Sequence, residues 1–170
     1  MIRQIVIRER GPAPRGFARL FGKLQAAAWE VAAIHFHSRF RDDRFTESHA
    51  QKMGYTRRKG EGMAHGSKAF RNSYTGRKLA KFGHTRPLEW SGETRRAVAM
   101  ANITTTRNAA KISYAGARKF NFRHPKSQIR MADEFRSLAN TEIQELGRIF
   151  DRDLDARVAQ DMTTTVTVVG

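Results

Sequence analysis

Two amphipathic segments, one toward each end of the 170-residue chain, constrain the fold most strongly. In residues 16–39, apolar side chains recur at spacings of three and four, which is the pattern of a helix with one buried face. Residues 131–161 show the same period, and Asp133 and Glu134 stand in the first turn, where the helix dipole favours negative charge. The sequence therefore predicts two long helices.

Both ends of the chain predict β-strands. Residues 2–8 and 163–169 are rich in Ile, Val and Thr, which favour strands. Residues 102–106 and 110–114 are two further β-rich runs separated by a short break, which predicts a hairpin. We expect the terminal strands to pair in one mainly antiparallel sheet backed by the helices.

Two shorter elements lie between the hairpin and its neighbours. Ser91 has the character of an N-cap, which predicts a short helix ending near Met100. Phe120, Phe122 and His124 alternate with polar residues, which predicts an extended segment or edge strand.

Residues 41–90 show neither period. Six glycines interrupt the region between residues 41 and 88, and its apolar residues are irregularly spaced, apart from a short helical piece near residues 45–53. Segments of this kind are usually functional or disordered. The sequence thus predicts a single α+β domain over residues 1–170, with a small mainly antiparallel sheet packed against two long helices. Residues 41–90 are expected to form a long basic extended arm, or loop, inserted within it.

The net charge of +16 is unevenly distributed. From Met131 onward eight acidic residues face four arginines, a balance of −4, so residues 1–130 carry +20. Such a charge favours contact with nucleic acid or with acidic protein surfaces, although basic loops on an otherwise ordinary protein would give the same composition.

The basic segment supplies most of the candidate interaction residues. Interleaved aromatic and cationic side chains serve single-stranded nucleic-acid binders for stacking and backbone contact. They serve equally well in an arm that anchors on a neighbouring protein. The candidates for an assembly contact or a DNA-facing contact are Arg57, Arg58, Lys59, Lys68, Arg71, Tyr74, Arg77, Lys78 and Lys81. A second, aromatic set is predicted for subunit packing and comprises Trp29, Phe36, Phe40 and Trp90.

The sequence shows no constellation typical of catalysis or metal binding. His35 and His37 lie two residues apart in a predicted helix, so they point in different directions, and His35 is expected to be a packed histidine. The glycines at 60 and 62 follow no predicted strand and match no phosphate-binding fingerprint. There is no cysteine, and no apolar run reaches the roughly 18–20 residues that span a bilayer. We therefore predict no enzymatic activity, no cofactor, no metal and no membrane partner.

The order of the predicted elements resembles that of the tail-completion, or virion morphogenesis, proteins of tailed bacteriophages. A long N-terminal helix and a variable loop precede a turn into a short helix, and a hairpin and a C-terminal helix containing Phe135 and Phe150 follow. The turn is similar to the family's pattern of Pro-Leu, Ser/Thr-Gly and Leu/Thr-Arg. Its residues are Arg86, Pro87, Leu88, Glu89, Trp90, Ser91, Gly92, Glu93, Thr94 and Arg95.

The resemblance implies a structural virion protein that joins or completes the tail at the head–tail neck as part of an oligomeric ring. The implied partners are further copies of the chain, other neck, portal or tail proteins, and the packaged DNA, contacted without sequence specificity. The implied location is the virion, and the host cytoplasm before assembly. The composition leaves open a different class, a sequence-nonspecific nucleic-acid-binding protein similar to ribosomal proteins. A small nuclease is a third reading, against which stands the scarcity of carboxylates before residue 131.

Overall fold

The two ends of the chain form an antiparallel pair of strands in the computed structural model, which describes residues 4–9, 14–121, 127–161 and 164–169. Strand β1 (Gln4–Glu9) pairs with strand β4 (Thr164–Val169), so that Gln4 lies opposite Val169 and Glu9 opposite Thr164. A second two-stranded sheet consists of β2 (Asn102–Thr106) and β3 (Ala109–Ser113). The predicted pairing of the chain ends and the predicted hairpin are both confirmed.

The first long helix, α1 (Pro14–His35), begins at a proline, which fits the first turn because its missing N–H would have no partner there. The prediction of a helix over residues 16–39 is confirmed in its main part. The last residues differ, because Phe36–Phe40 form a π-helical turn. Accordingly, the N–H of Arg41 donates to the carbonyl of Phe36, five residues back, at 3.1 Å.

The second amphipathic segment is divided into α6 (Met131–Arg136) and α7 (Asn140–Asp161), whereas the sequence predicted one helix over residues 131–161. Ser137 has extended backbone angles, and its carbonyl accepts a hydrogen bond from Arg44 at 3.0 Å. The N–H of Ala139 donates to the side chain of Glu142 at 2.9 Å, which caps the start of α7. Tertiary and capping contacts therefore satisfy the groups that the break exposes. The α+β class and the two long helices are confirmed.

Residues 41–90 are folded, and this is where the structure departs most from the expected extended arm. A 3-10 turn (Asp42–Phe45) precedes three helices, α2 (Glu47–Lys52), α3 (Lys68–Arg71) and α4 (Tyr74–Phe82). Each of the three begins at a Thr or Ser whose side chain accepts a backbone N–H, and these residues are Thr46, Ser67 and Ser73. Helix α2 lies within the predicted helical piece at residues 45–53.

The contacts group the chain into two compact units. Unit 1 comprises residues 1–35, 103–112 and 143–170, and unit 2 comprises residues 36–102 and 113–142. The prediction of a single domain over residues 1–170 stays a prediction.

In unit 1, α1 packs against α7. The rings of Trp29 and Phe150 have centroids 4.5 Å apart, and Leu24, Ala28 and Ala32 are buried along the same helix. Gly22 faces the hairpin turn, since a Cβ at this glycine would lie 3.7 Å from that of Arg107.

In unit 2, the core is a cluster of buried apolar side chains drawn from distant parts of the sequence. The rings of Phe120 and Phe135 are stacked, with their centroids 4.4 Å apart. The cluster comprises Phe45, Leu88, Val98, Phe120 and Phe135. Because Leu88 is in this core, the predicted basic segment contributes to the hydrophobic centre of the unit.

Two predictions of shorter elements are corrected in unit 2. The expected extended segment around Phe120 is a 3-10 helix, Ala115–Asn121, which turns Phe120 into the core, while Phe122 and His124 lie outside the described residues. The short helix α5 (Glu93–Ala97) is capped at Gly92 instead of Ser91, and it ends before Met100. Gly92 has a φ of 80°, a backbone conformation that glycine adopts without strain.

Candidate functional site

Unit 2 carries most of the positive charge, with 21 Lys and Arg against nine Asp and Glu, a balance of +12 out of the total of +16. The structure separates the nine predicted interaction residues into those that hold the fold together and those that face solvent. This separation defines the candidate site, because only exposed cations can meet a partner.

Arg44, which was not among the predicted residues, shows how the fold uses a buried cation. Its side chain is fully buried, and it donates two hydrogen bonds to the carboxylate of Glu142, at 2.5 and 2.8 Å. Two further bonds go to the carbonyls of Phe40, at 3.1 Å, and Ser137. The guanidinium also lies over the ring of Phe36, 4.8 Å from its centroid. A cation with this many partners is a structural element of unit 2.

Arg58 and Lys78, two of the predicted interaction residues, are also buried. Arg58 forms a two-pronged ion pair with Glu134, in which Nη1 donates to Oε1 at 3.1 Å. The Nζ of Lys78, whose residue is only 2% exposed, donates to the carbonyl of Arg86. Burial lowers the pKa of Lys78 to about 8, although the nearby carboxylate of Glu89 acts in the opposite direction. Neither residue is available to a partner.

Two glycines bring three segments of the chain together around Ser73, at the corner between α3 and α4. A Cβ at Gly60 would lie 2.0 Å from Oγ of Ser73, and a Cβ at Gly76 would lie 2.0 Å from the carbonyl oxygen of Phe70. Only glycine permits these approaches. The N–H of Thr75 also donates to the carbonyl of Lys59 at 3.1 Å, which holds the loop before Gly60 against α4.

Five exposed cations surround this corner, and we call them the α3–α4 basic face. In the part of the chain that the structure describes, none of them forms an ion pair. Arg77 makes one hydrogen bond, from Nε to the carbonyl of Ser73 at 3.4 Å, and it lies one helical turn from Lys81 on the same side of α4. The α3–α4 basic face consists of Lys59, Lys68, Arg71, Arg77 and Lys81.

Tyr74, also predicted as an interaction residue, belongs to an aromatic cluster. Its ring lies 5.0 Å from that of Trp90, which in turn lies 5.4 Å from Phe82. Burial raises the pKa of Tyr74 above its usual value, in keeping with a phenol that is half removed from water. The cluster fastens the turn around Trp90 to α4, so that Tyr74 and Trp90 both contact their own chain.

The other residues predicted for subunit packing also have partners within their own units. Trp29 contacts Phe150, and the buried Phe40 lies 6.5 Å from Phe36. Large apolar side chains that are exposed but were not predicted for subunit packing include Ile34 and Ile143, which are about half exposed in unit 1, and Met63, Met100 and Leu138 in unit 2. Helical periodicity could not identify them, because it places apolar residues on the buried stripe.

A cavity of about 630 Å³ lies beside the basic face in unit 2. Its lining includes charged side chains of both signs, which are the cations Arg57 and Arg58 and the carboxylates Glu47 and Glu61. Thr75, a residue that is 4% exposed, also lines the cavity, and its hydroxyl has no hydrogen-bond partner among the described residues. The cavity can accept a small polar group, but its mixed charges do not favour one ligand class.

His35 and His37 have different partners, as their spacing predicted, but His35 is partly exposed and pairs with a carboxylate, whereas a packed histidine was expected. Nε2 of His35 lies 2.9 Å from Oε1 of Glu145, whereas Nδ1 of His37 lies 3.3 Å from the hydroxyl of Tyr114. Burial, followed by the charge of Arg41, lowers the pKa of His37. Within the described ranges, no cluster of three or more His, Asp or Glu side chains is arranged to hold a metal ion. Nor does any helix in these ranges combine the length and apolar character needed to cross a membrane.

Comparison of the chain with protein-family models, with curated proteins and with solved structures finds no match.

Proposed function

We propose that this chain is a structural virion protein of a tailed bacteriophage, which joins or completes the tail at the head–tail neck as one subunit of an oligomeric ring. Its partners in this role are further copies of itself and neighbouring neck, portal or tail proteins. It would reside in the virion, and in the host cytoplasm before assembly. It would act by assembly and not by catalysis.

The observation that carries the proposal is the order of elements on both sides of the turn at residues 86–95. The turn follows a long helix and a variable segment, and it leads directly into the short helix α5. The hairpin of β2 and β3 comes next, and the long helix α7 follows after the 3-10 helix and α6. This is the order on which the resemblance to tail-completion proteins rests.

Features of the surface are consistent with a subunit of an assembly. Ile34 and Ile143 expose about half of their surface in unit 1, so they are available for an apolar contact with another protein. A ring requires two different, complementary surfaces on each copy. Both units carry net positive charge, +12 in unit 2 and +4 in unit 1, so the complementarity of such surfaces would rest on apolar contacts and not on opposite net charges.

A second candidate is a sequence-nonspecific nucleic-acid-binding protein that acts outside a virion. The α3–α4 basic face favours it, because cations without acidic partners attract phosphate backbones. The two candidates differ in their consequence for the particle, since only the neck role makes phage assembly depend on this chain.

Deletion of the coding sequence from a phage genome that carries it tests the proposal. We expect filled heads and separate tails to accumulate, because the joining component is missing, and we expect the unchanged chain supplied in trans to restore joined particles. Electron microscopy of lysates measures the fraction of joined particles. Joined, infectious particles formed without the chain would refute the neck role.

A further inference from the structure

We infer that the α3–α4 basic face binds the phosphate backbone of double-stranded DNA without sequence specificity. This deepens the proposed function and rests on it for the presence of duplex DNA next to the protein. The inference concerns one set of five side chains, which the fold presents on a structured corner of unit 2.

The first argument is positional. Gly60 and Gly76 allow the loop at Lys59, the end of α3 at Arg71 and the first turns of α4 to meet around Ser73. Cations from three separate segments are therefore held near one another by backbone contacts. A preorganised set of cations loses less conformational entropy on binding than a flexible arm does.

The second argument is electrostatic. Six of the nine acidic residues of unit 2 form ion pairs with cations outside the basic face. Two of these carboxylates, those of Glu134 and Glu142, neutralise the buried cations Arg58 and Arg44. Glu61 is exposed in the loop after Lys59, and its single negative charge offsets only one of the five positive charges of the face. The face therefore keeps a net positive charge that a polyanion can neutralise.

The third argument decides between duplex and single-stranded DNA. Proteins that bind single strands stack the bases on free aromatic rings. Here the rings of Tyr74, Phe82 and Trp90 pack against one another, and even Trp90, the most exposed of them at 37%, has two ring neighbours within the fold. Contacts to phosphates alone suit a duplex, whose bases are already stacked.

The fourth argument weighs DNA against an acidic protein. The cores of protein–protein interfaces are rich in aromatic residues and depleted in lysine. The basic face has three lysines, and no residue of α3 or α4 is among the exposed large apolar side chains of unit 2, which are Met63, Trp90, Met100 and Leu138. Its composition is that of a surface for phosphate contact.

The test is the salt dependence of binding to a labelled duplex of about 30 base pairs, measured by fluorescence anisotropy between about 50 and 200 mM salt. If all five cations meet phosphates, the slope of log K against log salt approaches about −4.5. The double variant Arg71→Gln with Arg77→Gln should make this slope shallower by about 2, because two phosphate contacts are lost. The same variant should bind at least about tenfold more weakly at the upper salt concentration.

A matched control removes the same charge elsewhere. Arg107 and Lys111 are exposed on the hairpin of unit 1, and Arg107→Gln with Lys111→Gln should leave the slope nearly unchanged. An equal loss in both double variants would show that net charge alone drives binding, and it would overturn the assignment to this face. Circular dichroism melting checks that all variants are folded. Lys68→Gln with Lys81→Gln removes a second pair of cations from the face and should make the slope shallower as the first pair does.

Two further results would overturn the inference. One is the absence of binding by the unaltered protein at the lowest salt concentration. The other is binding to poly-L-glutamate with no binding to duplex DNA, which would assign the face to an acidic protein. Either result leaves the deletion experiment unaffected, so failure of the DNA contact and failure of the neck role are distinguishable.

Discussion

At the scale of single residues, unit 2 is organised by cations that are buried and paired. Arg44 and Arg58 are bound by the carboxylates of Glu142 and Glu134, and Lys78 is bound by the carbonyl of Arg86. Lys and Arg are rarely buried without partners. Each pairing therefore fixes one position of the chain against another, and loss of one partner should be costly.

The pair of Arg44 and Glu142 gives the sharpest prediction of stability. Glu142→Gln keeps the size of the side chain but leaves a fully buried guanidinium without its counter-charge. We expect the free energy of unfolding to fall by about 3–5 kcal/mol. Urea denaturation followed by circular dichroism measures this change.

The control for this variant is Asp153→Asn, which breaks a partly exposed ion pair with Arg157, one turn later on α7. Such pairs contribute about 0.2–1 kcal/mol, so the control should stay close to the unaltered protein. Similar losses in the two variants would contradict the structural role assigned to Arg44.

The ion pair of Arg44 and Glu142 also predicts that the free energy of unfolding decreases at acid pH. Burial alone would raise the pKa of Glu142, but the hydrogen bonds from Arg44 and the N–H of Ala139 outweigh it, and the pKa lies below its usual value. The stabilisation is therefore fully present above the unfolded pKa of about 4.3, and it disappears as the pH falls through the lower folded value. Glu142→Gln should remove this part of the acid sensitivity.

Lys78 predicts the opposite behaviour at alkaline pH. The pKa of Lys78 is about 8 in the folded protein and about 10.4 in an unfolded chain. Between these two pH values the unfolded chain therefore binds more protons than the folded protein. The free energy of unfolding should therefore rise as the pH increases from about 8 toward 10, by up to about 3 kcal/mol. Stability of the unaltered protein and of Lys78→Met is compared by urea denaturation across this range. A rise of equal size in both proteins would contradict the assignment.

At the scale of elements, the corner between α3 and α4 depends on the absence of a side chain at Gly76. Replacement of glycine by alanine inside a helix normally stabilises it by about 1 kcal/mol. Here the new Cβ would lie 2.0 Å from the carbonyl oxygen of Phe70 and 3.0 Å from Cα of Arg71. We expect Gly76→Ala to lower the free energy of unfolding by about 1–3 kcal/mol, because backbone must move. Chemical denaturation measures the difference.

Gly147 is the matched control, since it lies in α7 and a Cβ there would meet no atom within 4 Å. Gly147→Ala should stabilise the protein by about 0.5–1 kcal/mol. The account of the corner fails if both substitutions change stability in the same direction.

The elements that could be predicted from the sequence are those specified by local pattern. The long helices follow from apolar periodicity, and the strands at the chain ends follow from their β-branched residues. The break at Ser137 and the helices α3 and α4 were not predicted, whereas α2 was, and the break depends on partners far away in the sequence. Arg44 and Glu142, for example, are 98 residues apart.

The candidate site could be predicted only in part for the same reason. Counting charges identified the basic segment, and five of the nine predicted interaction residues form the α3–α4 basic face. Charge alone could not separate Lys78, which is buried, from Lys81, which is exposed one turn later in α4. That separation depends on the packing of α4 against the turn at residues 86–90.

At the scale of the whole molecule, the chain consists of two units of different character. Unit 1 contains the paired chain ends and most of both long helices, and unit 2 contains the buried ion pairs and the basic face. The segment expected to be an extended arm is thus a folded part of unit 2. An assembly role would then rely on structured surfaces and would not require an arm to become ordered on contact.

The measurement that tests the neck proposal most directly is a cryo-electron microscopy reconstruction of a phage particle that encodes this chain. The account predicts a closed ring of its copies at the head–tail junction, with the α3–α4 basic face directed toward the DNA. A neck reconstruction whose density is fully explained by other proteins, with this chain absent from the particle, would contradict it.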